Sequence, residues 1–149
     1  MPDMSARGVD ILYSERGSVQ IRLTAPQLIK KTLDDEPVIE FPAGFKVEFY
    51  DTAFNVKSII KGDYGISYEK KKLMEARYNV IVENIQTKEK LNTEQLFWDQ
   101  NKEIIYTDKF VRLTRGDEII NAYGLKSDQS FENVVLYHIG GAVLEVKDK

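Results

Sequence analysis

Short runs of alternating apolar and polar residues fill the chain. Val19, Ile21 and Leu23 alternate with Gln20, Arg22 and Thr24, and Phe45, Val47 and Phe49 alternate with Lys46 and Glu48. Successive side chains of a strand point to opposite faces, so each run predicts a strand with one dry and one wet side. Segments rich in Val, Ile, Phe and Tyr predict further strands over Tyr78 to Ile85, Glu103 to Asp108, Phe110 to Thr114, Glu118 to Ala122 and Phe131 to Ile139, with Gly141 to Val146 as a last one. Polar or glycine-containing pairs supply the turns: Arg16-Gly17, Ala43-Gly44, Glu69-Lys70, Thr87-Lys88, Asn101-Lys102, Arg115-Gly116 and Ser127-Asp128. Asp34-Asp35-Glu36 ahead of Pro37 is expected to be a solvated loop. Lys70 to Arg77 has helical propensity, but so short a run without an N-cap makes a poor helix, and a strand flanked by a basic turn is expected there. Similar segments begin at Ile59, Leu91 and Ile119, a spacing of about 30 residues that suits stacked hairpins sharing one core.

Composition narrows what such a chain can do. Its 149 residues, 42% hydrophobic, suffice for one domain with a substantial core; residues 1–8 are expected to be a flexible start and 9–147 a single β domain. With 21 Lys and Arg against 24 Asp and Glu, the net charge of -3 lacks the basic footprint that binding to a phosphate backbone requires, so no nucleic-acid partner is expected. There is no Cys and only one His, His138, which removes thiolate chemistry and zinc sites that need several imidazoles. No metal and no cofactor are expected. The most apolar stretch, Val134 to Leu144, is interrupted by His138 and two glycines and falls far short of the roughly 20 residues that cross a bilayer. The start at Met1 also lacks a basic segment followed by an apolar run, which points either to the cytosol or to an upstream segment that has been removed.

Catalytic patterns are sparse. Glu94 and Asp99 flank Trp98 as a glycosidase pair would flank a sugar, but so many acidic residues produce such neighbours by chance. His138 lies in an apolar run without a G-x-S-x-G elbow, and neither a dinucleotide fingerprint nor a P-loop occurs. The basic triplet Lys70-Lys71-Lys72 suits a solvated hairpin turn, or contact with an anionic headgroup. Apolar strand area without an active site favours a binding or scaffold protein over an enzyme. Either its interior is open to a ligand, or it is a closed β-sandwich carbohydrate-binding or adhesion module that recognises sugar with surface aromatics such as Tyr64, Tyr68 and Trp98.

Six segments then match one family in order: Gly17-Ser18-Val19-Gln20-Ile21-Arg22-Leu23-Thr24-Ala25-Pro26, Glu40-Phe41-Pro42-Ala43-Gly44-Phe45-Lys46-Val47-Glu48-Phe49-Tyr50-Asp51, Tyr68-Glu69-Lys70-Lys71-Lys72-Leu73-Met74, Leu91-Asn92-Thr93-Glu94-Gln95-Leu96-Phe97-Trp98-Asp99, Ile105-Tyr106-Thr107-Asp108-Lys109-Phe110-Val111 and Ala122-Tyr123-Gly124-Leu125. Over nearly its whole length the chain resembles LptC, the periplasmic component of the lipopolysaccharide export ABC transporter, in its Bacteroidetes-like form. The resemblance implies an all-β fold, an open, twisted antiparallel jelly roll whose V-shaped apolar trough carries the acyl chains of lipopolysaccharide, and no catalytic residue. It implies partners at both ends, the transporter's inner-membrane subunits and a periplasmic jelly-roll bridge protein, each joined by pairing of strand edges. It also implies a location in the periplasm, with an inner-membrane anchor that the sequence as given lacks. Alternation and matching motif together put Phe49, Val80, Val82, Leu96, Trp98, Val111 and Leu113 in the trough. Gly124, Phe131, Val135 and Val143 are expected at the partner-binding edge, and free edges leave room for a weak edge-to-edge homodimer.

Overall fold

A computed structural model describes residues 4–15 and 18–139. The strands are β1 (Met4–Glu15), β2 (Ser18–Leu33), β3 (Glu36–Phe41), β4 (Phe45–Tyr50), β5 (Val56–Gly62), β6 (Tyr64–Tyr68), β7 (Leu73–Asn84), β8 (Lys90–Asp99), β9 (Ile104–Arg115), β10 (Glu118–Asp128) and β11 (Val134–Leu136). All pairings among the described strands are antiparallel, and they join into one sheet that is not a closed barrel.

The sheet divides and rejoins. On one edge of β2, Ile21 to Thr24 pair with β4 and Ile29 to Leu33 pair with β3. On one edge of β7, Leu73 to Arg77 pair with β6 and Ile81 to Asn84 with β5. The division point of β7 is a bulge in which Tyr78 (φ 69°) and Asn79 (φ 53°) are both left-handed. Neighbouring strands are irregular at the same level: the register shifts between Thr93 and Phe97 of β8, and Gly124 of β10 (φ 114°) faces two residues of β9, Asp108 and Lys109. At the other end of the sheet Gly8 of β1 (φ 62°) stands opposite Pro26 of β2, where the ladder skips a pair. A glycine and a residue without an N–H are what such a gap tolerates. These irregularities line up as a crease, and long strands that turn a corner at a bulge pass from one packed layer to the other.

The crease defines two leaves. The first contains β4, β5 and the segments Val80 to Asn84, Lys90 to Thr93, Val111 to Arg115 and Glu118 to Tyr123; the second contains β3, β6, β11 and the segments Leu73 to Arg77, Leu96 to Asp99, Ile104 to Thr107 and Leu125 to Asp128. Their facing sides bury Leu23, Val47, Ile60, Val80, Leu91 and Leu113 from one leaf and Phe41, Met74, Ala76, Leu96, Ile105 and Leu125 from the other, in a single core cluster.

Several expectations need correction. Met4 to Gly8 belong to β1 instead of forming a flexible start, because their backbone pairs with β2. Asp34 and Asp35 make a tight turn, with φ of 52° and 63°, and Glu36 already opens a strand. The two strands expected over Glu103 to Thr114 are one, bent at the crease. Ser127 and Asp128 end β10 and the turn falls on the next residues, because the Asp128 carboxylate accepts from the backbone N–H groups of Glu132 and Asn133 at 2.8 and 3.2 Å. That capping curls the backbone, so only Val134–Leu136 of the run expected over Phe131 to Ile139 is a strand. Arg16-Gly17 and Gly141 to Val146 lie outside the described residues.

Candidate functional site

The interior seam follows from alternation on strands that keep one dry face through the crease. Phe49, Val80, Val82, Leu96, Trp98, Val111 and Leu113 all point between the leaves, and none is more than 4% exposed. Phe49 of the first leaf meets Trp98 of the second edge to face, with ring centroids 5.2 Å apart. The leaves are therefore packed together, with side chains filling the space between them. Phe97, the neighbour of Trp98, points outward and stacks on Tyr106 at 5.4 Å, as a period of two requires.

Opposite the crease lies the rim, where the hairpin turns of both leaves end. Part of it is bridged by the turn between β10 and β11. The carbonyl of Gln129 accepts from Ser58 Oγ at 2.8 Å, the carbonyl of Phe131 accepts from Asn84 Nδ2 at 3.0 Å, and Glu132 pairs with Lys57 at 2.8 Å. Ser58 and Lys57 lie on β5 and Asn84 on β7, so the second leaf reaches over to the first. The indole Nε1 of Trp98 donates to Gln129 Oε1 at 3.0 Å. Phe131 is left-handed at φ 58° and fully buried in the common core. Beside this bridge the rim is open: a cleft of about 380 Å³ runs between Tyr13, Gln20 and Ile21 on one side and Lys72, Gln100 and Asn101 on the other, with Trp98 and Gln129 lining it. Of the basic triplet, Lys72 borders the cleft, while Lys71 pairs with Glu36 at 3.7 Å.

Electrostatics on the outer face are local and paired. Glu40 is held below the usual carboxylate range, first by the Tyr64 hydroxyl that donates to it and then by Lys31. Burial pushes Glu75 upward, but the Arg77 guanidinium and the Gln95 amide outweigh it and hold that carboxyl low. Glu94 accepts from the backbone N–H of Asn79 at the β7 bulge, and Asp99 accepts from that of Lys102 in the next turn. Both carboxylates thus serve the backbone, and the indole between them faces the other way. The suggested sugar platform of Tyr64, Tyr68 and Trp98 does not assemble, because Trp98 is inside while Arg77 and Lys71 lie against the rings of Tyr64 and Tyr68.

Of the residues expected at a partner edge, Val135 is half exposed on β11, and Gly124 sits at the β10 bulge with its Cα beside Tyr137. Phe131 does not present itself to a partner, since its ring is turned inward by the left-handed turn. Val143 lies outside the described residues. Two edges remain: β1 pairs only with β2, and beyond β10 only the short β11 and an isolated bridge from Ala122 to Ile139 follow among the described residues.

An all-β antiparallel sheet that is not a closed barrel is the fold class that the sequence motifs implied. The sequence profile of the family described as lipopolysaccharide-assembly, LptC-related, matches residues 1–141. The chain belongs to the LptC-related family. A comparison with individual curated proteins finds no match. As an LptC-related protein the chain is a non-enzymatic component of lipopolysaccharide transport in the cell envelope, working with other components. Among the described residues no helix is long and apolar enough to cross a membrane. The bridge made by Ser58, Asn84, Gln129 and Phe131 escaped sequence reasoning. Its one local signal was Asp128 placed four and five residues ahead of backbone amides it can cap.

Proposed function

We propose that this LptC-related protein binds the acyl chains of lipopolysaccharide between its two leaves, against Phe49, Val80, Val82, Leu96, Trp98, Val111 and Leu113. It relays them from the inner-membrane ABC transporter subunits to a periplasmic jelly-roll bridge protein. The observation that carries this reading is the continuous apolar seam of a sheet closed at the crease and open at part of its rim, where a cleft reaches Trp98. Burying roughly ten methylenes at about 0.8 kcal/mol each sets an upper bound on the order of 8 kcal/mol per chain. Partial enclosure lowers that figure, which suits a carrier that must release its cargo. The edges of β1 and of β10 with β11, which pair no further strand among the described residues, support docking by strand addition, since such edges otherwise invite aggregation. A periplasmic location at the inner membrane follows from the same reading.

The test is direct. A photoreactive amino acid at Val82, Leu96 or Val111 is expected to form adducts with lipopolysaccharide, whereas one at outward-facing Lys46 or Arg112 is not. Adducts confined to the outward positions, or an oligosaccharide that competes as well as the whole lipid, would overturn the reading.

A further inference from the structure

Phe131 occupies its place between the leaves by an unusual route. It does not come from a strand face, as its neighbours in the core do, but from the tip of the turn between β10 and β11, in a left-handed conformation that suits glycine better than an aromatic residue. The turn that carries it is a preformed unit: Asp128 accepts from Glu132 N, Asn133 N and Asn133 Nδ2, and Phe131 N donates to the Asp128 carbonyl at 3.0 Å. These bonds travel with the turn if it moves. The attachments to the opposite leaf are few and lie at the rim: Ser58 to Gln129, Asn84 to Phe131, and the partly exposed pair Lys57 and Glu132. The indole of Trp98 bonds to the same turn and also borders the open cleft, so the Phe131 slot and the cleft adjoin at one residue.

We infer that the slot filled by Phe131 is an acyl-chain site, and that the Asp128 to Asn133 turn is a clasp whose aromatic plug leaves when a lipid chain enters beside Trp98. The inference rests on the lipid-binding reading above and adds the point of entry. Phe131 holds the leaves together in the absence of cargo, and an acyl chain replaces one apolar surface with another, so the exchange leaves no void. Lifting the turn exposes the hydroxyl of Ser58 and the amide of Asn84 at the rim, where water reaches them. It also frees Phe131 from its left-handed backbone.

The absence of native cysteine makes the test clean. In the full chain carrying Lys57→Cys and Glu132→Cys, a short bismaleimide ties the clasp to β5, and uptake of lipid A with a diazirine in one acyl chain is read as covalent adduct. The same doubly substituted protein with both cysteines capped by a monofunctional maleimide lacks the Lys57–Glu132 pair but leaves the clasp untied, and it is expected to give at least as much adduct as native protein, whereas the tied protein gives at least tenfold less. Equal adduct in the tied protein would overturn the clasp while leaving the lipid-binding reading intact. No adduct in native protein would sink both. As a second measurement, Phe131→Ala is expected to speed adduct formation in whatever fraction folds; a folded variant that loads no faster than native protein would show that Phe131 is ordinary core.

Discussion

The ring of Phe49 on β4 meets that of Trp98 on β8 at an interplanar angle of 87°, and this is a contact between two leaves of one sheet that have folded onto each other. Edge-to-face pairs of this kind contribute about 1 kcal/mol beyond the area they bury. Because Trp98 is the single tryptophan, the state of the seam is readable by its fluorescence.

Emission from Trp98 is expected to be blue without any lipid present, since the indole is 4% exposed. Phe49→Ala removes the facing ring and is expected to cost about 3 to 5 kcal/mol in denaturant unfolding, the range for large aromatic deletions in cores. The same variant is expected to shift emission to the red and raise acrylamide quenching. Unchanged emission would mean that the seam closes by other contacts.

Gly124 provides a test at the sheet edge. At φ 114° an added Cβ is strained whatever the space, and it would lie 3.2 Å from Tyr137 Cβ. Gly124→Arg is expected to cost about 1 to 3 kcal/mol and to loosen β11 from β10. Thermal melting and pull-down of the bridge protein check this, and a variant normal in both would leave Gly124 without a role at the edge.

Asn84 does two jobs that substitution separates. Its Oδ1 accepts from Gln86 N and Thr87 N in the β7–β8 turn, while its Nδ2 donates to the Phe131 carbonyl. Asn84→Asp keeps the acceptor and loses the donor at a buried position, so it is expected to destabilise by about 2 kcal/mol, the cost of leaving buried polar groups unpaired. Hydrogen exchange is expected to quicken in the Asp128 to Asn133 turn before it does in the β7–β8 turn.

Acid is expected to loosen the same turn. Burial pushes the Asp128 carboxyl upward, but the amides of Glu132 and Asn133 outweigh it and leave the group below its ordinary value of 3.8. A carboxyl depressed by folding contributes stability that is complete above the unfolded value and is lost as pH falls through the lower folded one. Acrylamide quenching of Trp98 is therefore expected to stay flat from pH 8 to about 5 and to rise below about 4. Asp128→Asn is expected to remove this step while leaving the acid response of other carboxylates, such as Glu40 and Glu75, in place.

Much of this architecture was legible in the chain because alternation is a local property. Leu96 and Trp98 against Phe97 and Asp99 already separate the dry face of β8 from the wet one, and the six matching segments point to the family. The crease was not legible. Tyr78 and Asn79 carry no glycine to announce left-handed backbone, and the level at which four strands bend together is set by their register, which no single segment contains. Phe131 misled for the same reason: an aromatic residue in a β-rich run looks like a strand residue until the capping by Asp128 turns its backbone inward.

The crease also determines how force is distributed. Every long strand crosses it without interruption, so the two halves of the sheet share ribs and cannot slide past each other. A change in the angle between them draws on the backbone of a few bulged residues, Tyr78, Asn79 and Gly124 among them, while the ladders on either side keep their bonds. Leaves joined by shared strands can part only by a change of angle at the crease, so any separation between them is set along the whole seam at once.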